Sequence, residues 1–377
     1  MLMEPRIWFK EDHLDFLGNK EISLSSEEFK DILLDCKSPI VTHGGMFHAD
    51  EIFCVALIIL IRKLVVNPKT FGNDRLNISR LDIIHSVQRV NTVAELGGEN
   101  WQRESIVVDL LGGHFDHHMN PNDKPYRNTS DKYGEHKPYF ASFGLLWDNI
   151  GGMFEPVLHG ETMAEYNKPV NEFGLSVTRK FDEKFVIGID MQDNYGSSAY
   201  PNPVSRIISN YNSRESNCVR SQNQLPDNFI SAVIMAYEIL QNEISAIQNE
   251  IIGILMVLKT GINIIDSGVA VFKNDDPSIP KQAIEEICVE LVEGCKVGCM
   301  VTYMTTPSKR NDTFYVSTCN GWKFHDDVKL SKPEGMDFFH PAGFLITFDS
   351  FPNAEKFIQS LKICSTEPRI LYTGPIV

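Results

Sequence analysis

Apolar positions along this chain follow two rhythms. Short runs of strand length, Ile40–Thr42, Leu81–His85 and Ile106–Asp109, each end at a polar turn. Between the first two lies a helical segment, Asp50–Val66, whose apolar stretch runs unbroken from Ile52 to Ile61 and is closed by Arg62. That stretch is well short of the ~20 residues of a membrane span, so it predicts a buried helix. Strands separated by helices predict an α/β fold, a mainly parallel sheet with helices on both faces. Ser25 and Glu28 predict a capping box opening a helix through Leu34, inside an N-terminal appendage of residues 1–37. Residues 119–138 are polar and rich in Pro, Asn, Asp and Lys, the composition of a long surface loop or lid.

Helical patterns resume at Phe140–Ile150, at about 160–194 and at Pro203–Tyr211. Ser213–Asp227 is polar, contains Pro226 and lacks periodicity, so the first domain spans 38–225. A long helix, Phe229 to about Leu258, opens the second domain, 226–377. There, strands at Val269–Phe272, Val297–Tyr303, Thr313–Thr318 and Gly343–Phe348 mix with helices near 281–292 and 353–363. That order predicts a smaller α+β domain.

At 377 residues, with 42% hydrophobic and 23% charged, the chain has the length and composition of a two-domain globular protein. The segment Met1–Lys20 carries Glu4, Glu11, Asp12 and Asp15, unlike an arginine-rich presequence. An intracellular location, cytoplasmic or nuclear, is the expectation, with no membrane partner. A formal charge of −15 excludes broad affinity for long duplex DNA, but not for a small anionic substrate once bound cations reverse the local sign. The eight cysteines form no C-x-x-C pair and read as buried thiols. Cys295, Cys299, Cys319 and His325 match no common zinc spacing.

Candidate chemistry gathers where the first strands end. Thr42–His43–Gly44–Gly45–Met46–Phe47–His48–Ala49–Asp50–Glu51 follows one strand, at the edge of a parallel sheet where ligands bind. Asp50 also fits an ordinary carboxylate at a helix N-terminus, and His48 a cap. Asp109 ends a β-branched run, a poor place for a carboxylate unless something positive meets it. Gly112 and Gly113 permit a sharp turn, after which Asp116–His117–His118 offers two imidazoles, with Asp116 placed to orient one of them. Further on, Asp190 and Asp193 share a helix face; one can complete the set while the other braces or caps. Carboxylates and imidazoles converging in this way predict a metal-dependent hydrolase.

Asp116–His117–His118 after a strand-terminal aspartate resembles the signature of DHH-type phosphoesterases. T-H-G-G-M-F-H-A-D-E at 42–51 and V-V-D-L-L-G-G-H-F-D-H-H at 107–118 are similar to motifs of the melanocyte-proliferating-gene (Myg) family. Supporting matches are F-A-S-F-G-L-L-W-D-N-I-G at 140–151, F-V-I-G-I-D-M-Q-D-N at 185–194, S-R-I-I-S-N-Y-N at 205–212 and F-F-H-P-A-G-F at 338–344. The resemblance implies two domains across a cleft and two divalent cations, Mn²⁺ or Mg²⁺. His43, His48 and Asp109 would hold one ion; Asp50, Asp109, His117 and Asp190 would hold the other. His118 would contact the scissile phosphate, and His340, Gly343 and Arg206 would bind substrate. The implied activity is 3′–5′ exonucleolytic hydrolysis of RNA or short oligonucleotides. Pyrophosphate, a dinucleotide or another small phosphate ester, a metal-dependent amidase and a weakly catalytic regulatory protein are the alternatives. The chain departs from the usual pattern at His48, where phosphatases of the superfamily carry aspartate. It departs again at His114–Phe115, which stands where the arginine before F/Y-D-H-H is usual, and at Met119, in place of glutamine.

Overall fold

The computed structural model describes residues 26–66, 76–97, 100–118, 124–127, 136–154, 176–212, 225–261, 263–264, 269–275, 279, 283–284, 286, 299–304, 313–319, 321–364 and 369–373. Expectations for 1–25, Met119, Cys295, 155–175 and most of 213–227 and 281–292 fall outside these residues. The chain divides into two compact units, the first ending at Ile247 and the second running from Gln248 to Val377.

The first unit is built on a three-stranded parallel sheet. Its middle strand, β1 (Ile40–His43), pairs with β2 (Val87–Val90) on one side and β3 (Ile106–Val107) on the other. Before β1 comes α1 (Ser26–Leu34), and after it α2 (Ala49–Val66). Every α2 residue from Ala49 to Arg62 is buried, so the apolar stretch serves as the unit's central core helix. Its one basic interruption is accommodated: Arg62 donates to Leu33 O at 2.9 Å and Ile32 O at 3.2 Å, carbonyls at the end of α1. Around α2 pack α5 (Ser142–Ile150), α7 (Ile187–Tyr195) and α8 (Pro203–Ser209). The remaining elements are α3 (Arg80–Ser86), α4 (Trp101–Glu104) and α6 (Val177–Phe181).

Leu81–His85 is a correction: it is helical, within α3, and not a strand. The Ser79 hydroxyl accepts from Asp82 N at 3.2 Å while Asp82 Oδ2 accepts from Ser79 N at 2.7 Å. This reciprocal box starts a helix, and the strand begins only at Val87. Ile106–Asp109 is shorter than expected, because the chain leaves the sheet after Val107 and Asp109 takes φ +48°.

A long helix, α9 (Asp227–Thr260), contains the boundary between the units. The second unit holds a six-stranded mixed sheet made of β4 (Asn263–Ile264), β5 (Val269–Asn274), β6 (Cys299–Met304), β7 (Phe314–Thr318), β9 (Met336–Phe339) and β10 (Leu345–Phe348). Their order is β4-β5-β6-β7-β10-β9, with only β5 and β6 parallel. Between β7 and β9 come β8 (Lys323–Phe324) and α10 (Asp326–Ser331); α11 (Phe351–Ser360) follows β10. Val316, Phe348 and Phe357 belong to this unit's core. Gly343 precedes its strand in a turn at φ +73°. Among the described residues, no helix is long and apolar enough to cross a membrane.

Candidate metal centre

Two turns at the carboxyl end of the parallel sheet, and the first turn of α2, supply the site. Leaving β1, the chain passes His43, Gly44 and Gly45, the last at φ +86°. Arg89 on β2 braces this turn by donating to His43 O at 2.9 Å and Gly45 O at 3.1 Å, with its guanidinium 4.6 Å from the Phe229 ring. Asn212 clamps the far side, accepting from Phe47 N at 3.1 Å and donating to Phe47 O at 2.6 Å. Leaving β3, the chain turns at Asp109, whose positive φ is a strained state for a residue with a β-carbon. Asp116 ties the second turn, accepting from Gly112 N at 2.9 Å and His118 N at 2.8 Å.

These turns bring His43, His48, Asp50, Asp109, His117, His118 and Asp193 together. Three sets present donor atoms within 4.8 Å of one another: His43–His48–Asp109, Asp109–His117–His118 and His48–Asp50–Asp193. Asp109 joins the first two, receiving His117 Nε2 at 3.0 Å on Oδ1 and His43 Nε2 at 3.3 Å on Oδ2. His43 Nδ1 donates to Gly44 O at 2.7 Å, so in the neutral ring the lone pair sits on Nε2, the atom facing the carboxylates. His118 Nδ1 lies 3.1 Å from Asp116 Oδ1 and turns Nε2 to 3.8 Å from Asp109.

The electrostatics are those of crowded buried acids. Burial would raise the Asp109 pKa, yet hydrogen bonds from His117 and His43 hold it well below the carboxylate range. Burial lowers the His43 pKa, but the Asp109 hydrogen bond and Glu51 outweigh it and bring the value to about 9. Asp116 raises the pKa of His118. Burial takes Glu51 to about 7, and burial with neighbouring Asp109 and Asp193 drives Asp50 well above its ordinary value. Asp50 has no exposed surface, and neither of its carboxylate oxygens has a hydrogen-bond partner among the described residues. His117 Nε2 lies 3.7 Å from its Oδ2. Leaving a carboxylate buried and unpaired costs several kcal/mol. A divalent cation among these oxygen and imidazole donors would remove that cost, so the residues present fit one.

Asp190, expected among the ligands, has other partners. Arg127 Nη2 donates to its Oδ2 at 2.7 Å and Gly144 N to its Oδ1 at 3.1 Å. Arg127 also grips Asp182 through two hydrogen bonds of 2.7 and 2.6 Å, at the start of a π-helical turn, Asp182–Val186, leading into α7. A β-carbon at Gly144 would collide with the Asp190 carboxylate, which accounts for a glycine in the 140–151 motif. Asp193, expected as a brace, lies at the cluster, 3.4 Å from His117 Nε2 and 3.6 Å from His48 Nδ1. Arg206 is exposed on α8, outside the cluster. His340 and Gly343 belong to the second unit, where Gly343 N donates to His340 O at 2.8 Å and Ala342 N to His340 Nδ1 at 3.1 Å.

Several residues went unassigned in the sequence. Glu51 accepts from Thr42 Oγ1 and from His48 N, and lies 3.3 Å from His43 Nε2; its place at the start of a helix was the one available signal. Lys124 reaches His117 Nδ1 at 3.4 Å and donates to Asn194, out of a segment that reads only as polar loop. His114 is buried: its Nδ1 accepts from Val107 N at 3.1 Å and its Nε2 donates to Gln102 O at 2.9 Å. Burial lowers its pKa to about 4, so it is a neutral stitch between β3 and α4.

A family model, MYG1_exonuc, described as Uncharacterised protein family (UPF0160), matches residues 39–360. The chain belongs to this family. Two solved structures show slight likeness. A pGpG-specific phosphodiesterase, PggH from Vibrio cholerae, is 12% identical over 85% of this chain and 96% of that one, with a TM-score of 0.21. RecJ in complex with Mg²⁺ from Thermus thermophilus is 11% identical, with a TM-score of 0.23; the match covers 91% of this chain and 53% of RecJ, about half of its length. Likeness at that level carries neither fold nor chemistry across. No curated protein matches.

Proposed function

We propose that this protein is a metal-dependent phosphodiester hydrolase, a 3′–5′ exonuclease on RNA or short oligonucleotides that uses two Mn²⁺ or Mg²⁺ ions. The observation carrying this reading is Asp50, a fully buried carboxylate in the middle of a His/Asp cluster, neither of whose oxygens has a hydrogen-bond partner among the described residues. His43, His48 and Asp109 would hold one ion; Asp50, Asp109, His117 and Asp193 would hold the other, in place of Asp190, whose oxygens are taken by Arg127 and Gly144. Bound divalent cations would polarise the phosphoryl group and lower the pKa of a water, so that hydroxide is available to attack phosphorus as the ester oxygen departs.

The chain's own groups do the rest. Asp109, held ionised by two imidazoles, fixes His43 and His117 relative to each other. His118, half exposed and oriented by Asp116, offers an Nε2 proton to the phosphate or to the departing oxygen. Residues 38–225 would form the catalytic domain. The region 226–377 would contribute His340 and Gly343 to hold substrate phosphate, as would Arg206 from the first unit. Purified protein should bind divalent metal at two per chain and shorten 5′-labelled RNA from its 3′ end in Mn²⁺. Release of phosphate from pyrophosphate with intact RNA, or bound metal with no turnover on any phosphate ester, would replace the reading.

A further inference from the structure

The segment expected as a polar loop carries a second feature, next to the acidic cluster and within the same unit. Tyr126 and Tyr139 face each other across an antiparallel bridge, rings 6.1 Å apart and edge-on. Arg127 N donates to Pro138 O at 3.0 Å and Phe140 N to Pro125 O at 3.2 Å, which pins the two stretches together. The aromatic row continues from Tyr139 to Tyr195 at 6.3 Å, and from Tyr195 to His136 at 4.6 Å. Tyr195 Oη donates to Lys137 O at 2.7 Å and so fixes the position of the next residue in line. Lys137 Nζ stands 4.6 Å over the Tyr126 ring, and Lys124 Nζ lies 6.0 Å from the centre of Tyr139.

Two properties set this row apart from an ordinary aromatic core. Tyr126 is 50% exposed, and His136 and Lys137 are exposed too. The row also begins where the acidic cluster ends: Lys124 contacts His117, and Asn194 Nδ2 donates to Tyr139 O at 3.2 Å. A chain of net charge −15 repels a phosphate strand unless cations are placed locally, and here two ammonium groups stand over aromatic rings. Single strands are bound in this manner, phosphates by cations and bases by rings, without sequence preference. An aromatic row alone would suit a proline-rich peptide; the lysines and the neighbouring cluster favour nucleic acid.

We infer that Tyr126, Tyr139 and Tyr195, with His136, Lys137 and Lys124, form a stacking surface for the bases of a single-stranded nucleic acid whose end lies at the metal cluster. The placement of that end rests on the proposed hydrolase function; the surface itself is tested without turnover. The full chain is titrated, by fluorescence anisotropy, into a phosphorothioate oligouridylate octamer that resists hydrolysis, an abasic octamer of the same backbone and a proline-rich peptide. The uridylate is expected to bind at least roughly tenfold more tightly than the abasic strand, since stacking contributes ~1–3 kcal/mol per base. Tyr126→Ala combined with Tyr195→Leu should lose that advantage, while Tyr126→Phe with Tyr195→Phe should keep it. Should the first pair fail to fold, Lys137→Glu, at an exposed position, should weaken uridylate binding and flatten its salt dependence. Equal affinity for the two strands, an unchanged advantage in the folded Ala/Leu variant, or preference for the peptide would overturn the inference. Cleavage of a small chromogenic diester by the unsubstituted protein in Mn²⁺ reads the hydrolase separately; its absence would fail that function and leave base-dependent binding to be judged by itself.

Discussion

Asp50 on α2 and Asp190 on α7 lie on helices packed against each other, and neither has any exposed surface. They differ in what meets their charge. Asp190 is matched from within the chain by Arg127, which also holds Asp182 and stacks 4.1 Å from the Phe140 ring. Asp50 faces other carboxylates and has no hydrogen bond among the described residues. Asp190, with its own arginine, is part of the architecture; the oxygen and imidazole donors around Asp50 fit a divalent cation instead. Proximity to the cluster alone does not distinguish the two.

The comparison can be broken at several points, with effects of decreasing size. Asp109→Asn, which loosens His43 and His117 together, should lower turnover by roughly 10³-fold or more, the rate equivalent of several kcal/mol of electrostatic stabilisation; steady-state kinetics on labelled RNA in Mn²⁺ would read it. Arg127→Met should destabilise the metal-free fold by about 3–5 kcal/mol, because buried Asp190 and partly buried Asp182 lose their cation, seen as a lower urea midpoint. Asp50→Asn should act with the opposite sign, stabilising the metal-free fold by about 1–3 kcal/mol at neutral pH, because the amide is neutral without the proton that buried Asp50 must take up. A destabilised Asp50→Asn protein would erase the contrast between the two acids.

His114 sharpens the comparison as a buried group that stays neutral. Its pKa, about 4 when folded, lies below the ordinary histidine value of 6.5. Between those values the unfolded chain binds the extra proton, so its contribution is complete above pH 6.5 and is lost as pH falls towards 4. The loss should approach ~3 kcal/mol, and His114→Gln should flatten that part of the stability–pH curve. The smallest effect belongs to the second unit. His340→Ala should raise KM about fivefold, the equivalent of one hydrogen bond near 1 kcal/mol, and lower kcat less than that.

The sequence displays the ligands and hides what holds them. His43, His48, Asp50, Asp109, His117 and His118 lie in two short stretches that follow strands, so spacing alone brings them to one edge of a parallel sheet. The buried helix is legible for a similar reason, since its apolar run is local. Arg127 has no such signal: it meets Asp182 and Asp190 across 55 and 63 residues, and its own neighbourhood in the chain is polar. Asp190 and Asp193 share a helix face, but which one meets the cluster depends on where Arg127 arrives. Leu81–His85 reads as a strand because three apolar positions, Leu81, Ile83 and Ile84, conceal the Ser79/Asp82 box that starts a helix there. His114 reads as a departure from a pattern; its buried hydrogen bonds to two backbone groups appear only in the fold.

The most direct test is thermal unfolding of the wild type and Asp50→Asn with and without Mn²⁺, alongside a count of metal per chain. A metal concentration 100-fold above Kd should stabilise the wild type by about 2.7 kcal/mol and do much less for Asp50→Asn, which would start from the higher melting point. Identical metal-induced shifts in the two proteins, or none in the wild type, would contradict the claim that Asp50 is completed by a divalent cation.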